Sequence, residues 1–327
     1  MSQHPLTDVT PQHSLDRRAI PIGARETLWT APDGHPIRRI DWQGSADFCR
    51  GSILFLPGRG DFYEKYLETL EDWNCRGWRV TAADWRGQAG SGRLGNDAVT
   101  GHIDDYATWI GDLTALWTQW KAETPGPHVL AGHSMGGHLA LRALAEGKVD
   151  PGALVLCAPM LGLASSALPN WLMQAGARLM TMLGDPRRPA WKWEEKPGQV
   201  PASRAQLLTH DPERYRDELF WRDARPELVM GPGSWGWVER SYASMRALER
   251  SGVLEAIRQP VLIVASENDK LVSFAAIVRA VQRLKRVELL RFGPEARHEI
   301  LREEDGVRDG ALEAINDFLD RTAPPAN

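Results

Sequence analysis

The sequence predicts an α/β protein built on a mostly parallel, doubly wound sheet. Short, continuously apolar runs such as Ser52–Leu56 and Val261–Val264 are typical of strands buried on both faces. Between such runs lie longer segments, for example from Ile103 to Trp120, in which apolar residues recur every three or four positions, as on one face of a helix. Because strands that alternate with helices usually pair in parallel, this order predicts one sheet with helices on both faces.

The predicted sheet begins with a hairpin and continues with alternating strands and helices. Residues 27–30 and 37–42 flank Asp33-Gly34, a dipeptide typical of tight hairpin turns. Farther along, Asp61 followed by Glu64 resembles a capping box, which predicts that a helix opens there. The other predicted strands are 78–83, 127–131, 153–157 and 287–290, and the other predicted helices are 139–145, 274–284 and 311–319.

The regular alternation stops between residues 160 and 245. This segment holds six of the fourteen tryptophans, and proline and glycine clusters break it into short pieces. The charge-free stretch between Asp150 and Arg178 is long enough for a membrane span, but Pro159 and Pro169 interrupt it, so we expect a strand and the start of an apolar lid. The sequence thus predicts a poorly ordered tail at 1–24, a core at 25–159 and 246–322, and an inserted helical cap at 160–245.

Ser134 lies at the centre of a Gly-x-Ser-x-Gly pattern between a predicted strand and a predicted helix. A strand that turns at once into a helix leaves no room for side chains two residues to either side, which explains Gly132 and Gly136. The serine oxygen is then exposed at the apex of the turn, so the pattern predicts a nucleophile. A structural Gly-Ser turn remains the alternative, because glycine is common in this chain, with 30 among 327 residues.

A serine nucleophile needs a histidine base and a carboxylate that orients the base. His298 follows the last predicted strand in a loop long enough to reach Ser134, whereas His210 lies in the irregular segment and is expected to be structural. Asp269 stands beyond the end of another strand, with Glu267 as its nearest rival. We therefore predict a catalytic triad of Ser134, Asp269 and His298.

Two backbone amides are expected to stabilise the oxyanion that forms when a serine attacks a carbonyl. The amide of Met135 lies at the start of a helix, where N–H groups lack acceptors within the helix. The amide of Arg59 follows Gly58, which has no side chain and lets this backbone approach the reacting carbon. We expect the Arg59 side chain itself to be solvated.

The composition of the chain and the spacing of its polar residues limit which partners, cofactors and cellular location we expect. The net charge of −4 and the lack of basic runs give no reason to expect nucleic acid. No metal or organic cofactor is expected, because no His/Asp/Glu cluster has the spacing of metal ligands. Three widely spaced cysteines without a Cys-x-x-Cys pattern predict buried, reduced thiols. The first 20 residues contain no apolar secretory segment, so we expect a cytoplasmic protein, at most peripheral to the inner membrane face.

Together the serine turn, the predicted triad and the loops around them resemble the α/β-hydrolases, specifically the group containing monoacylglycerol lipases and bacterial lysophospholipases. The resemblance implies an α/β-hydrolase fold over roughly residues 25 to 320. Two departures, Pro57 where many relatives have histidine and Ala89 where many have glycine, leave the acyl and head-group preference open. The similar core segments are Gly132–Gly136, Asp84–Ser91, Asn268-Asp269, His298 and the oxyanion loop with its helix at Leu56–Tyr66, and the cap-like segments are 207–215 and 232–238.

The motifs predict one leading function and two alternatives. The leading function is a serine hydrolase that cleaves lipid-derived carboxylic esters, a lysophospholipid or a monoacylglycerol, through an acyl-enzyme; a Trp- and Met-rich cap suits an acyl chain, although it equally fits an ordinary apolar cap core. The first alternative is a peptidase or amidase on the same triad, with Glu194-Glu195 binding a substrate amine. The second is a catalytically silent ligand receptor. The expected partner is a small ester, and transient contact of the cap with a membrane surface is left open.

Overall fold

The computed structural model describes residues 15–44, 49–164, 168–192 and 202–325. The described strands are Ala24–Thr30 (β1), Pro36–Trp42 (β2), Gly51–Leu56 (β3), Trp78–Ala83 (β4), His128–His133 (β5), Ala153–Cys157 (β6), Val261–Ser266 (β7) and Val287–Phe292 (β8). They form one sheet in the order β1-β2-β4-β3-β5-β6-β7-β8. The pairings of β1 with β2 and of β2 with β4 are antiparallel, and those from β4 to β8 are parallel.

Helices follow most of the parallel strands. The described α-helices are Leu67–Cys75 (α1), Tyr106–Glu123 (α2), Met135–Ala145 (α3), Asn170–Met182 (α4), Ala202–Leu208 (α5), Pro212–Ala224 (α6), Trp235–Glu249 (α7), Phe274–Val281 (α8) and Asp305–Thr322 (α9). Within the described ranges, no helix combines the length and the apolar character that a membrane span requires.

Both faces of the sheet are covered, because its parallel strands present apolar side chains to each side. On one face, α2, α3 and α8 pack against strand residues such as Leu54, Leu130 and Ile263. On the other face, α1 and α9 pack against Ile53 and Val129. All five strand residues are fully excluded from solvent. The predicted doubly wound architecture is therefore confirmed.

Helices α4 to α7 lie between β6 and β7, where the sequence predicts the cap. Helix α6 is held to the neighbouring elements by buried ion pairs, since Glu218 lies 3.1 Å from Lys65 and 3.2 Å from Arg302. Helix α4 packs against α7 and leaves Leu179 and Met182 exposed to solvent. The division into core and cap is kept as a prediction.

A helix opens after Asp61 as predicted, but the capping box predicted from Asp61 and Glu64 is wrong. A short 3-10 helix at Tyr63–Tyr66 precedes α1, and no side chain caps its first residue. Asp61 instead accepts a hydrogen bond from the amide of Gly58, and Glu64 forms an ion pair with Arg38. Both carboxylates are buried, and a buried charge requires a charged or hydrogen-bonding partner. Asp61 and Glu64 therefore make tertiary contacts and do not cap the helix.

Two further details correct the sequence-based expectations, whereas the expected helix start at Met135 is confirmed for α3. Helix α9 begins at Asp305, six residues before the predicted start at residue 311. Of the three free thiols, Cys157 is buried as expected, whereas Cys49 and Cys75 are exposed. The element ends differ because polar first turns carry no periodic signal.

Candidate functional site

Ser134 occupies the turn between β5 and α3 in a constrained backbone conformation. Its φ is 51° and its ψ is −115°, and a positive φ is costly for a residue other than glycine. The Ser134 amide donates to the carbonyl of Cys157 at 2.9 Å, and the Ser134 carbonyl accepts from the amide of Met160 at 3.0 Å. These bonds to the end of β6 and the segment after it hold the turn in place.

Gly132 and Gly136 permit this turn through close backbone contacts. A Cβ on Gly136 would lie 2.3 Å from the carbonyl oxygen of Leu56, and a Cβ on Gly132 would lie 2.7 Å from the amide nitrogen of Gly137. Neither distance leaves room for a carbon atom in a close-packed interior. The steric explanation predicted for the two glycines is confirmed.

Asp269 and His298 follow β7 and β8, and the adjacent ends of these strands bring them together. The Nδ1 of His298 lies 2.6 Å from Oδ2 of Asp269, while Oδ1 accepts hydrogen bonds from the amides of Leu271 and Val272. Burial disfavours a charged imidazole, but the adjacent Asp269 carboxylate outweighs burial and raises the pKa of His298. Burial also opposes the carboxylate charge, yet His298 and the two amides hold the pKa of Asp269 below its usual value.

One imidazole nitrogen of His298 is available to react with the substrate or the serine. Because Nδ1 of His298 is engaged with Asp269, Nε2 is the nitrogen that can meet a hydroxyl group. Ser134 and His298 line the same cavity. The residues predicted from three distant parts of the sequence are thus brought to one site. Activation of Ser134 by His298 stays a prediction.

The rival residues have other partners. His210 places its Nδ1 3.1 Å from a carboxylate oxygen of buried Glu303, as expected for a structural histidine. Glu267 is exposed and forms an ion pair of 2.9 Å with Arg291. Both rivals thus have ionic partners outside the Asp269–His298 pair, and the choice of Asp269 and His298 stays a prediction.

The loop at residues 57–60 passes directly against Ser134. A Cβ on Gly58 would lie 3.0 Å from the Cβ of Ser134. The Gly58 amide donates at 3.0 Å to a buried carboxylate, that of Asp61. The Gly60 amide donates at 2.7 Å to the side-chain oxygen of Gln88, in the loop after β4. The Arg59 amide therefore sits in a loop that is fixed on both sides. The Met135 amide lies at the first position of α3, so both predicted donors are near the serine.

The buried carboxylate is that of Asp61, which the sequence analysis did not connect with the site. Its Oδ2 lies 2.9 Å from Nδ1 of His133 and accepts from the hydroxyl of Tyr66, while Oδ1 lies 2.5 Å from Nζ of Lys65. Burial opposes the charge, but Lys65 and His133 hold the pKa of Asp61 well below its usual range. His133 in turn places Nε2 3.3 Å from the carbonyl oxygen of His298. The i, i+4 spacing of Asp61 and Lys65 is a sequence signal, whereas the contact with His133 depends on the fold.

A cavity of about 580 Å³ contains Ser134 and His298 in its wall, a volume typical of sites for small ligands. Methionine and aromatic side chains suit an acyl chain because they offer adaptable apolar surface. Only part of the tryptophan-rich segment faces this cavity, since Trp171 is exposed and Trp221 packs in the core, while Trp193 and Glu194-Glu195 lie outside the described residues. The apolar lining from the segment between β6 and β7 comprises Met160, Leu163, Met173, Ala190, Trp191, Leu208, Met230, Trp235, Trp237 and Val238.

The expectation that the Arg59 side chain is solvated is wrong. The guanidinium carbon lies 5.2 Å from the ring centroid of Trp191 and 4.8 Å from that of Trp237. Its Nη2 donates to the carbonyl of Gly231 at 2.8 Å. Aromatic faces attract a guanidinium cation, which explains why this side chain lies at the cavity wall.

Sequence comparisons identify related proteins. The model of a family described as serine aminopeptidase, S33, matches residues 49–305. Lysophospholipase L2 of Escherichia coli strain K12 is 29% identical over 320 residues, which cover 92% of this chain and 89% of that protein. The probable lysophospholipase L2 of Haemophilus influenzae is 26% identical over 83% of this chain and 84% of its own length.

Solved structures share the fold. A soluble variant of monoglyceride lipase from Saccharomyces cerevisiae aligns with a TM-score of 0.73 at 19% identity, covering 98% of this chain and 99% of its own. A thermostable carboxyl esterase from Bacillus coagulans aligns with a TM-score of 0.72 at 18% identity, covering 92% of this chain and 99% of its own. These likenesses confirm the predicted fold.

Proposed function

Because the chain belongs to the serine aminopeptidase S33 family of α/β-hydrolases, we propose that it is a serine hydrolase that cleaves carboxylic esters of lipid-derived substrates, a lysophospholipid or a monoacylglycerol. The observation that carries this proposal is the constrained Ser134, which shares an apolar cavity with His298, the partner of Asp269. A relative named as a lysophospholipase supports the same class of ester.

The proposed reaction proceeds through an acyl-enzyme. His298 accepts the proton of the Ser134 hydroxyl, and the serine oxygen attacks the ester carbonyl carbon. The amides of Arg59 and Met135 hold the oxyanion, and the protonated His298 gives its proton to the departing alcohol oxygen. Water, activated by the same imidazole, then releases the fatty acid. Asp269 keeps the imidazole in the required tautomer and stabilises its charge.

The charges of the cavity argue against the peptidase alternative. An aminopeptidase needs carboxylates that can bind a substrate amine. The two carboxylates in the described lining, Asp61 and Glu299, are both ion-paired with buried Lys65. The remaining charged lining groups, the two histidines aside, are the cations Arg59, Arg204 and Lys270. Arg204 is itself paired with Glu218 at 3.5 Å. In the described lining each carboxylate thus already has a cationic partner, which disfavours the binding of a substrate ammonium group.

We also propose that the cap contacts a membrane surface through α4, which suits a peripheral enzyme at the cytoplasmic membrane face. Trp171, Leu179 and Met182 are 58%, 55% and 76% exposed. Exposed Arg178 on α4 and Arg187 just after it place positive charge beside these apolar side chains. An apolar helix face flanked by basic residues is the combination that binds an anionic lipid interface.

A chain-length series tests the proposed activity. Purified protein is assayed on nitrophenyl esters from acetyl to long acyl chains, beside Ser134→Ala as the matched inactive variant. We expect hydrolysis that favours the longer chains, and a loss of at least about 10³-fold in Ser134→Ala. Activity that survives this substitution, or faster turnover of aminoacyl-nitroanilides than of any ester, would refute the ester-hydrolase proposal.

A further inference from the structure

Lys65 is a buried ammonium group that three carboxylates surround. Its Nζ lies 2.5 Å from Oδ1 of Asp61, 2.5 Å from Oε1 of Glu299 and 3.1 Å from Oε2 of Glu218, and its side chain is fully excluded from solvent. Burial disfavours the ammonium charge, but the three carboxylates outweigh burial and raise the pKa of Lys65. The amine therefore stays charged and holds all three carboxylates in place.

Two of these carboxylates are attached to the groups proposed to carry out the reaction. Asp61 accepts a hydrogen bond from the amide of Gly58, which directly precedes the proposed oxyanion donor Arg59. Glu299 directly follows the proposed base His298. A shift of either carboxylate therefore displaces backbone beside a reacting group. A displacement of about 1 Å from the productive geometry can lower a rate about 10²-fold.

The third carboxylate, that of Glu218, comes from helix α6 in the segment between β6 and β7. It is fully buried and lies 3.2 Å from Nη1 of Arg302, which also pairs with Glu299. The amide of Glu299 donates at 2.8 Å to the carbonyl of Leu208, the last residue of α5. Glu299 is thus held from α6 through the cations Lys65 and Arg302, and from α5 through its backbone.

The docking of α6 does not depend on Glu218 alone. Arg214 of the same helix forms an ion pair of 2.7 Å with Glu68 of α1. Asp217, the neighbour of Glu218, forms an ion pair of 2.6 Å with Arg17 of the N-terminal segment. Loss of the Glu218 charge is therefore expected to lower stability without releasing the helix. The two adjacent carboxylates allow an effect on the site to be separated from an effect on docking.

Resting on the proposed ester hydrolysis, we propose that Lys65 and Glu218 are positioning residues for this reaction. They fix Asp61 and Glu299, and through them the oxyanion loop and the base, although neither residue belongs to the described cavity lining. When Glu218 loses its charge, the remaining carboxylates must balance the excess positive charge of Lys65 and Arg302, so they move toward these cations. Helix α6 thus contributes to the reacting geometry from outside the cavity lining.

The test compares the two neighbouring carboxylates of α6. Glu218→Gln keeps the side-chain shape but removes the charge, so kcat on a nitrophenyl ester falls at least about tenfold while KM stays within about twofold of the parent value. Asp217→Asn removes the same charge from a different ion pair of the same helix and leaves both constants at the parent values. A loosened α5 or α6 would instead alter the cavity wall and raise KM. The rate at which a small fluorophosphonate labels Ser134 falls in parallel with kcat.

A double variant replaces Glu218→Gln if its melting curve shows that this protein is unfolded. Arg222 lies 2.8 Å from Glu218, one turn farther along α6. Glu218→Gln combined with Arg222→Gln removes both charges of this pair, which avoids the uncompensated buried charge that a single substitution leaves. Lys65 still lacks its third carboxylate, so the same loss of kcat is expected.

Several results would overturn the positioning role. These are a kcat within about twofold of the parent value in the folded Glu218 variant, a rise in KM without a loss of kcat, or an equal loss of kcat in Asp217→Asn. Failure of the proposed ester hydrolysis looks different. In that case the parent protein cleaves no nitrophenyl ester, or cleavage persists in Ser134→Ala.

Discussion

At the scale of single residues, one carboxylate connects several parts of the site. Asp61 accepts from the amide of Gly58 at 3.0 Å and lies 2.9 Å from His133 and 2.5 Å from Lys65. Gly58 precedes the amide proposed to bind the oxyanion, and His133 contacts the backbone of His298. A change in the charge of Asp61 therefore acts on the oxyanion loop and on the base together.

The variant Asp61→Asn tests this connection. It keeps the shape of the side chain but removes the charge that Lys65 neutralises, so we expect the loop to shift and kcat on a nitrophenyl ester to fall about 10- to 100-fold, with a smaller effect on KM. Asp72→Asn, which alters a half-exposed ion pair on α1, is the control. If Asp61→Asn lowers the melting temperature but leaves kcat at the parent value, Asp61 acts on stability alone.

The pH dependence reports on His298. The Asp269 carboxylate raises the pKa of His298 above its ordinary value of 6.5. Below that pKa the imidazole is protonated and cannot accept the serine proton, so kcat/KM should fall as pH decreases through a midpoint above 6.5. In Asp269→Asn the midpoint should move to lower pH, with kcat reduced about 10⁴-fold. A midpoint that is unchanged in Asp269→Asn would contradict the assignment of His298 as the base.

At the scale of elements, the turn between β5 and α3 depends on contacts with the end of β3. The backbone of Gly136 packs against the carbonyls of Leu56 and Pro57, at the end of β3 and the start of the loop that carries Arg59. A displacement of α3 at this point is thus a displacement of the oxyanion loop. The serine turn and the loop must be treated as one packed unit.

Two glycine-to-alanine variants separate this packing effect from helix propensity. Gly136→Ala would place a Cβ 2.3 Å from the Leu56 oxygen, and we expect a loss of about 3 kcal/mol in unfolding free energy together with loss of activity. Gly111→Ala, at an exposed position of α2 with nothing within 4 Å of its Cβ, should gain about 1 kcal/mol. Chemical denaturation measures both changes. A Gly136→Ala protein of parent stability would show that the turn is less crowded than the distances indicate.

The elements could be predicted where the sequence carries a periodic or continuous apolar pattern. The runs at 52–56, 153–157 and 261–264 are strands, and the glycines of the serine turn follow from steric reasoning alone. The first turn of α9 carries no such pattern. The capping-box prediction failed because Asp61 and Glu64 have partners from distant segments, His133 and Arg38, which local spacing does not reveal.

At the scale of the whole molecule, the helices between β6 and β7 differ in which of their side chains are buried and which are exposed to solvent. Helix α6 is anchored by Glu218, whose carboxylate is buried with Lys65 and Arg302. Removing one partner of a buried ion pair is strongly destabilising. Helix α4 instead presents exposed Leu179 and Met182 to solvent. Helix α6 is thus fixed to the core by buried ion pairs, whereas the exposed apolar side chains of α4 are those proposed to meet lipid.

Membrane contact through α4 can be measured with vesicles. Parent protein should bind vesicles that contain phosphatidylglycerol, and Leu179→Ser combined with Met182→Ser should weaken that binding at least about tenfold, because two apolar side chains no longer enter the interface. Ile22→Ser combined with Leu28→Ser alters two other exposed apolar residues and is the matched control. Equal loss in both double variants, or binding unaffected by either, would contradict the contact through α4.

The site as a whole could be predicted in part. Chain order and strand ends pointed to Ser134, Asp269 and His298, because parallel strands bring their carboxyl ends to one edge of the sheet. The Asp61 network and the position of the Arg59 guanidinium depend on side chains that come from different layers of the fold. Interactions of that kind have no local sequence pattern and require the assembled structure.

The central claim is that Ser134 is a nucleophile activated by His298, and covalent labelling tests it most directly. A fluorophosphonate probe should add one label per chain, located at Ser134 by peptide mass spectrometry. Ser134→Ala should remain unlabelled, and His298→Ala should react at least about 10³-fold more slowly. A label on another residue, or no label on folded parent protein, would contradict the account.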